Sequence, residues 1–190
     1  MKLFFLDVRK TVQAIAVLLR ATGRQRLEYL SIIKLLYIAD RESWRDTGAS
    51  ITGDTPCAMK NGPVLSGVYD LVNLKWQRED LSVWTQYLLC EDYDLVLRGS
   101  PGDDRLSRYE IKKLTEVAKR HENDNWRQLV EVGHSLPEWQ ANNPANAECE
   151  CGMLPIPLDD ILRAVGRESD IDDIKRDAAE SAAAHLLFRH

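Results

Sequence analysis

The run from Lys34 to Val72 constrains this chain most, because it reads as a helix, then a segment no helix can hold, then a second helix. KLLYIADRESWRDTG carries Leu35, Tyr37, Ile38 and Trp44 among polar neighbours, with Gly48 as its natural stop. VLSGVYDLV sets Val68, Leu71 and Val72 on one helical face. Between them Pro56 disfavours helix at Thr55, Gly53 and Gly62 admit positive φ, and Gly62-Pro63 is a turn dipeptide. Thr55 to Asn61 has the length of a strand, and Pro56 restricts it to an edge or a strand start. Ser50, Thr52, Asp54, Thr55, Lys60 and Asn61 make this middle segment dense in hydrogen-bonding groups.

The rest of the chain reads as helices around that segment. Lys2 to Leu6 is a short strand or the approach to a helix capped by Asp7, whose apolar face is Val8, Val12, Ile15 and Leu19 and whose end is Gly23. A second helix is predicted from Arg26 to Asp46, antiparallel to the first. Another spans Leu65 to Trp76. Glu79 to Leu89 is ambiguous, with Asp80 able to cap a helix. Tyr93 to Arg98 has period-two apolarity and is predicted to pair with Thr55 to Asn61 in a small sheet, ahead of a plain turn at Ser100 to Asp103. Ser107 with Glu110 forms a capping box that opens a helix carrying Ile111, Leu114, Val117 and Ala118. Further helices carry Trp126, Leu129 and Val130, then Trp139 behind Pro137, then Leu158 to Val165 before Gly166. Asn142 to Pro157, with its prolines, reads as a loop. The expected class is mainly α (α+β), a compact helical domain with a small antiparallel β-element.

The tail after Gly166 differs in character. Asp170 caps a helix whose carboxylates lie at the positive end of its dipole, and Ile171, Ile174, Ala178, Ala182 and Leu186 form a thin stripe. A helix of this length is marginal in water by itself. Residues 167–190 are therefore expected to pack on a partner or a second copy, with their own domain, residues 1–166, as the other available surface.

At 190 residues the chain can bury about 70% of its extended surface and needs no disulfides. Cys57, Cys90, Cys149 and Cys151 have neither the spacing of a secreted framework nor that of a zinc site, which points to a reduced, cytoplasmic protein with no metal and no cofactor. The apolar start of MKLFFLDVRK is too short for a signal core or a membrane span. A formal net charge of -5 argues against broad nucleic-acid or anionic-membrane binding, although Arg20, Arg24 and Arg26 could form a local basic face. Most of Trp44, Trp76, Trp84, Trp126 and Trp139 belong in a core, and any exposed one would be a binding anchor.

Catalytic patterns are thin. Arg127 and His134 have the R-x6-H spacing of the HEPN class of RNases, where such a pair engages the scissile phosphate. Such a pair also arises by chance, and a histidine ending a helix commonly bonds a last-turn carbonyl. Asp40 and Glu42 point apart on a helix, and Asp92 and Asp94 flank a strand, so neither is a convincing acid–base pair. Phosphate-loop, dinucleotide and nucleophile-elbow motifs are all missing.

The ordered series KLLYIADRESWRDTG, ITGD, AMKNGPV and SGVYDLV strongly resembles the Panacea domain of SocA-like antitoxins, found in bacterial and phage toxin–antitoxin pairs. The likeness continues through LSRYEIKKLTEV, WRQLVEVGHSLPEW and IPLDDILRAVG, covering roughly Val12 to Gly166. It implies a non-enzymatic antitoxin that binds and neutralises a cognate protein toxin, by masking it or by passing it as an adaptor to a cytoplasmic AAA+ protease. The alternatives are a HEPN-like RNase using Arg127 and His134, or an orphan phage or mobile-element interaction protein. The resemblance marks Asp40, Thr52, Gly53, Asp54, Lys60, Gly62, Pro63, Tyr69 and Asp70 as signature or toxin-binding candidates. For Asp40, Thr52 and Asp54 the expectation is that they satisfy backbone groups of the irregular segment, where an unpaired polar atom costs about 1–3 kcal/mol. For Lys60 a structural role and a recognition role both stay open. Gly62-Pro63 is expected to set the turn that positions the helix of Tyr69 and Asp70.

Overall fold

Helix α2 (Tyr29–Thr47) is the axis of the molecule, buried at every residue from Ser31 to Asp40 and again from Glu42 to Trp44. A helix enclosed on this scale needs neighbours on all sides. They are α1 (Val8–Ala21), α3 (Ser66–Val72), α5 (Arg108–Arg120), α6 (Trp126–His134) and α8 (Leu158–Ala164), together with strand β3 (Gly62–Leu65). The computed structural model describes residues 3–76, 78–146 and 152–187, and their side chains apart from those at 78 and 185–187. The fold is mainly α with small antiparallel sheets.

Local signals account for the starts of α1 and three later helices. The Asp7 carboxylate accepts from Lys10 N at 2.9 Å, and Val8, Val12, Ile15 and Leu19 are all buried along α1. The Ser107–Glu110 capping box is present at the start of α5. A second box, Asn125 with Gln128, opens α6. Pro137 begins α7 (Pro137–Ala141), as a residue without an N–H should.

The sheets correct the predicted pairing. The sequence between Arg26 and Asp46 begins as strand β1 (Arg26–Glu28), and only then turns helical. Strand β5 (Asp94–Leu97) lies between β1 and β4 (Leu88–Glu91), not against Thr55 to Asn61. The latter segment contributes β2 (Pro56–Met59), the centre of a separate sheet between β3 and β6 (Met153–Pro155). Each strand thus joins its hairpin neighbour first, and a distant strand completes the sheet. Gly62 and Pro63 belong to β3, so the turn falls one step earlier, at Lys60 and Asn61, with Met59 opposite Gly62. Pro56 opens the central strand, and Pro63 lies on an outer one, the two places a strand tolerates proline.

Other boundaries shift for local reasons. α3 ends at Val72, short of Trp76, because Lys75 N turns back to Asp70 O at 2.8 Å and Leu74 adopts φ 55°. α4 (Arg78–Tyr87) resolves the ambiguous stretch as helix, with Asp80 inside its first turn, where it accepts from Trp76 Nε1. The stretch from Asn142 to Pro157 is not wholly loop, since it contains a 3-10 turn at Pro144–Asn146 and strand β6. Lys2, Cys149 and Cys151 lie outside the described residues.

The tail forms α9 (Ile171–Leu187) after a 3-10 turn at Glu168–Asp170. Its stripe covers the domain it belongs to. Ile174 and Ala182 are buried, Ile171 and Ala178 are half-buried, and Ile174 lies against Gly48 at the end of α2. Lys175 meets Asp159 at 2.8 Å, and Arg167 donates to the Arg45 carbonyl at 2.9 Å. The side chain of Leu186 is outside the description. A chain ending at Gly166 is therefore expected to lose about 2–4 kcal/mol, mainly through exposure of Ile174 and the surface beneath it. Urea unfolding of the two lengths as monomers measures this, and equal midpoints would show that α9 adds nothing to the domain.

Candidate functional site

The irregular segment after α2 is held by two buried carboxylates that spend themselves on backbone. Asp40 Oδ1 accepts from Ile51 N at 2.8 Å and Thr52 N at 3.1 Å, and Oδ2 accepts from the Thr52 hydroxyl. Thr52 Oγ1 in turn accepts from Asp54 N at 3.1 Å. Asp54 Oδ1 takes Thr55 N and Gly67 N at 2.6 and 3.0 Å, and Oδ2 takes Val68 N at 2.8 Å. It thereby supplies α3 with the N-terminal acceptor that Leu65, at the cap position, cannot offer. Burial pushes Asp40 up to about 7 and Asp54 up to about 6, against hydrogen bonds that favour the anions. Gly53 sits between them with φ +72°, and a Cβ there would fall 2.1 Å from the Phe5 carbonyl oxygen. Asp40, Thr52, Gly53 and Asp54 thus form one knot tying α2, the N-terminal segment and α3 together.

That knot carries the β2–β3 hairpin, which is clamped from its other side. Lys34, 2% exposed, donates to the Pro63 carbonyl at 2.7 Å, and burial lowers its pKa to about 7. A Cβ on Gly62, whose φ is +86°, would approach the Lys34 ammonium to 3.0 Å. His134 bonds the Lys60 carbonyl at 3.1 Å through Nε2 and stacks on Trp139 with ring centres 4.2 Å apart. The Trp139 indole donates to the Met59 carbonyl at 3.0 Å. His134 therefore ends α6 as expected but bonds across to the hairpin, not to its own last turn. The clamp fixes the backbone of the tip and leaves the side chains of Lys60 and Asn61 exposed. Tyr69 and Asp70 are half-buried on α3, beside this platform rather than at the tip.

Two ionic groups whose partners the sequence does not reveal brace the same helix. Glu138, 1% exposed, accepts from Arg41 Nε at 2.6 Å and from the Tyr37 hydroxyl at 3.2 Å. Glu42 receives Lys113 at 3.0 Å and the Arg120 guanidinium, and Lys113 also reaches Asp46 at 2.9 Å. Burial acts to raise the Glu42 pKa, but hydrogen bonds from Arg120 and Lys113 outweigh it and leave it below the usual carboxylate range. The partners lie far apart in sequence, so no local pattern reveals them.

The arrangement has little in common with a catalytic centre. Arg127 lies over the Trp126 ring, its guanidinium carbon 4.8 Å from the centroid, while His134 is occupied by Lys60 and Trp139. Asp40 and Glu42 face opposite surroundings, one the knot and the other the Lys113 and Arg120 pair. Among the described residues, no group of three or more His, Cys, Asp or Glu side chains is placed to hold a metal ion, and no helix is long and apolar enough to cross a membrane. Trp44, Trp84 and Trp139 are buried, whereas Trp76 and Trp126 are half-buried.

A family model described as antitoxin SocA-like, Panacea domain, matches residues 32–140. Searches against curated protein sequences and against solved structures found no match. The matched span runs from the first turn of α2 into α7, taking in the knot, the hairpin and its clamp, and it covers more than half of the chain. On this match, the chain belongs to the SocA-like antitoxin family and carries its Panacea domain.

Proposed function

We propose that this protein is an antitoxin that binds a cognate protein toxin and neutralises it by direct contact, with no turnover of its own. The family match over residues 32–140 carries the reading. The geometry supports a binding role, because the signature carboxylates Asp40 and Asp54 are buried and committed to backbone and hydroxyl donors. The rigidly backed hairpin tip, Lys60 and Asn61, is exposed, and Tyr69 and Asp70 are half-buried on α3. The described thiols, Cys57 and Cys90, are unpaired, in keeping with action in the cytoplasm.

Co-expression with the product of the adjacent gene tests the reading. Copurification and restored growth are expected, and a toxic neighbour that neither copurifies nor is neutralised would overturn it. Toxin lifetime in cells with and without each AAA+ protease then separates masking from delivery, since only delivery shortens it. His134→Ala separates binder from RNase. The variant is expected to lose about 1 kcal/mol of stability with its stacking and hydrogen-bond contacts, and wild type is expected to show no metal-independent RNA cleavage for the substitution to abolish.

A further inference from the structure

The signature hairpin sits at one end of α6, and a different surface lies at the other. There Tyr29, Leu30, Tyr93 and Trp126 line an open aromatic cleft, drawn from the start of α2, the β4–β5 turn and the first residue of α6. Tyr93 is 74% exposed, yet its backbone is fixed, because its carbonyl accepts from Tyr29 N at 2.8 Å. Burial first, and then the charge of Tyr69, raises the pKa of Tyr29. Rigid aromatic side chains offered in this way are the usual anchors of a protein interface.

A polar lobe adjoins the aromatic one, and Glu28 lines both. Ser31, 1% exposed, lies in the polar lobe, and its hydroxyl is the one buried side-chain polar atom among the described residues without a hydrogen-bond partner. A buried hydroxyl left so is costly, and a group that bonds it recovers that cost. The charges around it are not balanced. Asp94 is held by Arg26 and Asp124 by His121, but among the described residues Glu28 and Glu122 have no ion pair, and Arg24 reaches only the Glu122 carbonyl. Outside this lobe Arg127 is stacked on Trp126.

We infer that this two-lobed cleft is the toxin-docking surface, and that it takes a segment of the toxin bearing a lysine or arginine beside a large apolar side chain. The apolar group fills the aromatic lobe between Tyr93 and Trp126. The cation meets Glu28 at the seam, within reach of the Ser31 hydroxyl. Charge complementarity chooses a basic segment over an acidic one. The inference rests on the antitoxin reading above and adds to it the site and the chemistry of the contact.

The test uses the full chain and, as probe, the adjacent-gene product that copurifies with it, with affinity measured by calorimetry at low and high salt. Tyr93→Ala is expected to weaken binding at least about tenfold, and Glu28→Gln about threefold or more with a flatter salt dependence, each at wild-type melting temperature. On complex formation, the amides of residues 29–31 and 92–94 should gain protection from hydrogen exchange. If wild type and both variants bind within about twofold of one another, the docking surface is elsewhere while the antitoxin reading stands. If Tyr93→Ala dissolves a self-association of the chain and leaves toxin affinity unchanged, the cleft belongs to a second copy and the inference fails. If the wild-type chain binds no toxin at all, both fall together.

Discussion

Gly53→Ala is expected to cost the fold at least about 4 kcal/mol, and Gly23→Ala only about 1–2, although the two glycines have nearly the same backbone conformation. Their φ values are +72° and +67°, so the strain of a left-handed alanine is common to both. What differs is the surroundings. A Cβ on Gly23 meets nothing within 4 Å, whereas one on Gly53 falls 2.1 Å from the backbone oxygen of Phe5. That oxygen cannot step aside as a flexible side chain would. The N-terminal segment is tied down next to it, since Asp7 N donates to Thr52 O at 3.1 Å. Relief would have to come from opening the knot, which exposes the donors that Asp40 and Asp54 now satisfy. Since a domain of this size is stable by only about 5–15 kcal/mol, the Gly53 variant stands near the limit of folding. Chemical denaturation of both variants against wild type measures the contrast, and equal losses would mean that the Phe5 contact relaxes freely.

This comparison also shows which parts of the fold are legible in sequence. That Gly53 takes positive φ follows from its place between Thr52 and Asp54 in a turn. That it must be glycine for lack of space follows only from Phe5, nearly fifty residues earlier. The same division recurs elsewhere. The buried face of α1 and the Ser107–Glu110 box are local patterns, so spacing alone finds them. Pairing of β5 with β1, and of β6 with β2, joins segments whose own composition is silent about partners. Met153 to Pro155 was unreadable as a strand, because its proline-rich neighbours describe a loop equally well. Lys34 reads as a surface lysine in a helical run until Pro63 is folded over it. Glu138 reads as helix-starting acid behind Pro137, and only its distance to Arg41 gives it a structural role. The signature as a whole was legible because its residues are close in sequence. The aromatic cleft was not, because its walls come from three separate segments.

Stability is expected to pass through a minimum near pH 7, which is unusual, and three buried groups account for it. Asp40 and Asp54 have folded pKa values of about 7 and about 6, raised by burial above the ordinary 3.8. For such groups the native state holds the proton more tightly, so their contribution is complete below about pH 4 and is lost as pH rises through 6 to 7. Lys34 is the reverse case, its pKa lowered by burial from 10.5 to about 7. Its contribution is complete above about pH 10 and is lost as pH falls through 7. At neutral pH all three are partly charged in surroundings that disfavour charge, so both limbs are at their lowest together. Glu42 and Asp46 do not disturb this window, since their lowered pKa values confine their losses to more acid solution. Tyr37 and Cys57, raised by burial, act only at more alkaline pH. Between pH 5 and 9 the melting temperature should therefore dip near 7, with each limb worth on the order of 1–2 kcal/mol. Asp40→Asn keeps acceptors for the Ile51 and Thr52 amides while removing the charge, and should level most of the acid limb. Lys34→Met keeps the aliphatic stem and should level the alkaline one. A curve that rises or falls steadily across the window, or that neither substitution alters, would refute the assignment. The dip concerns the signature hairpin directly, because Lys34 clamps its Pro63 carbonyl while Asp40 and Asp54 hold the turn behind it. Near neutrality the domain core should thus hold its signature hairpin least firmly, and hydrogen exchange at Met59 to Gly62 should be faster at pH 7 than at pH 5 or 9 once corrected for the intrinsic rate.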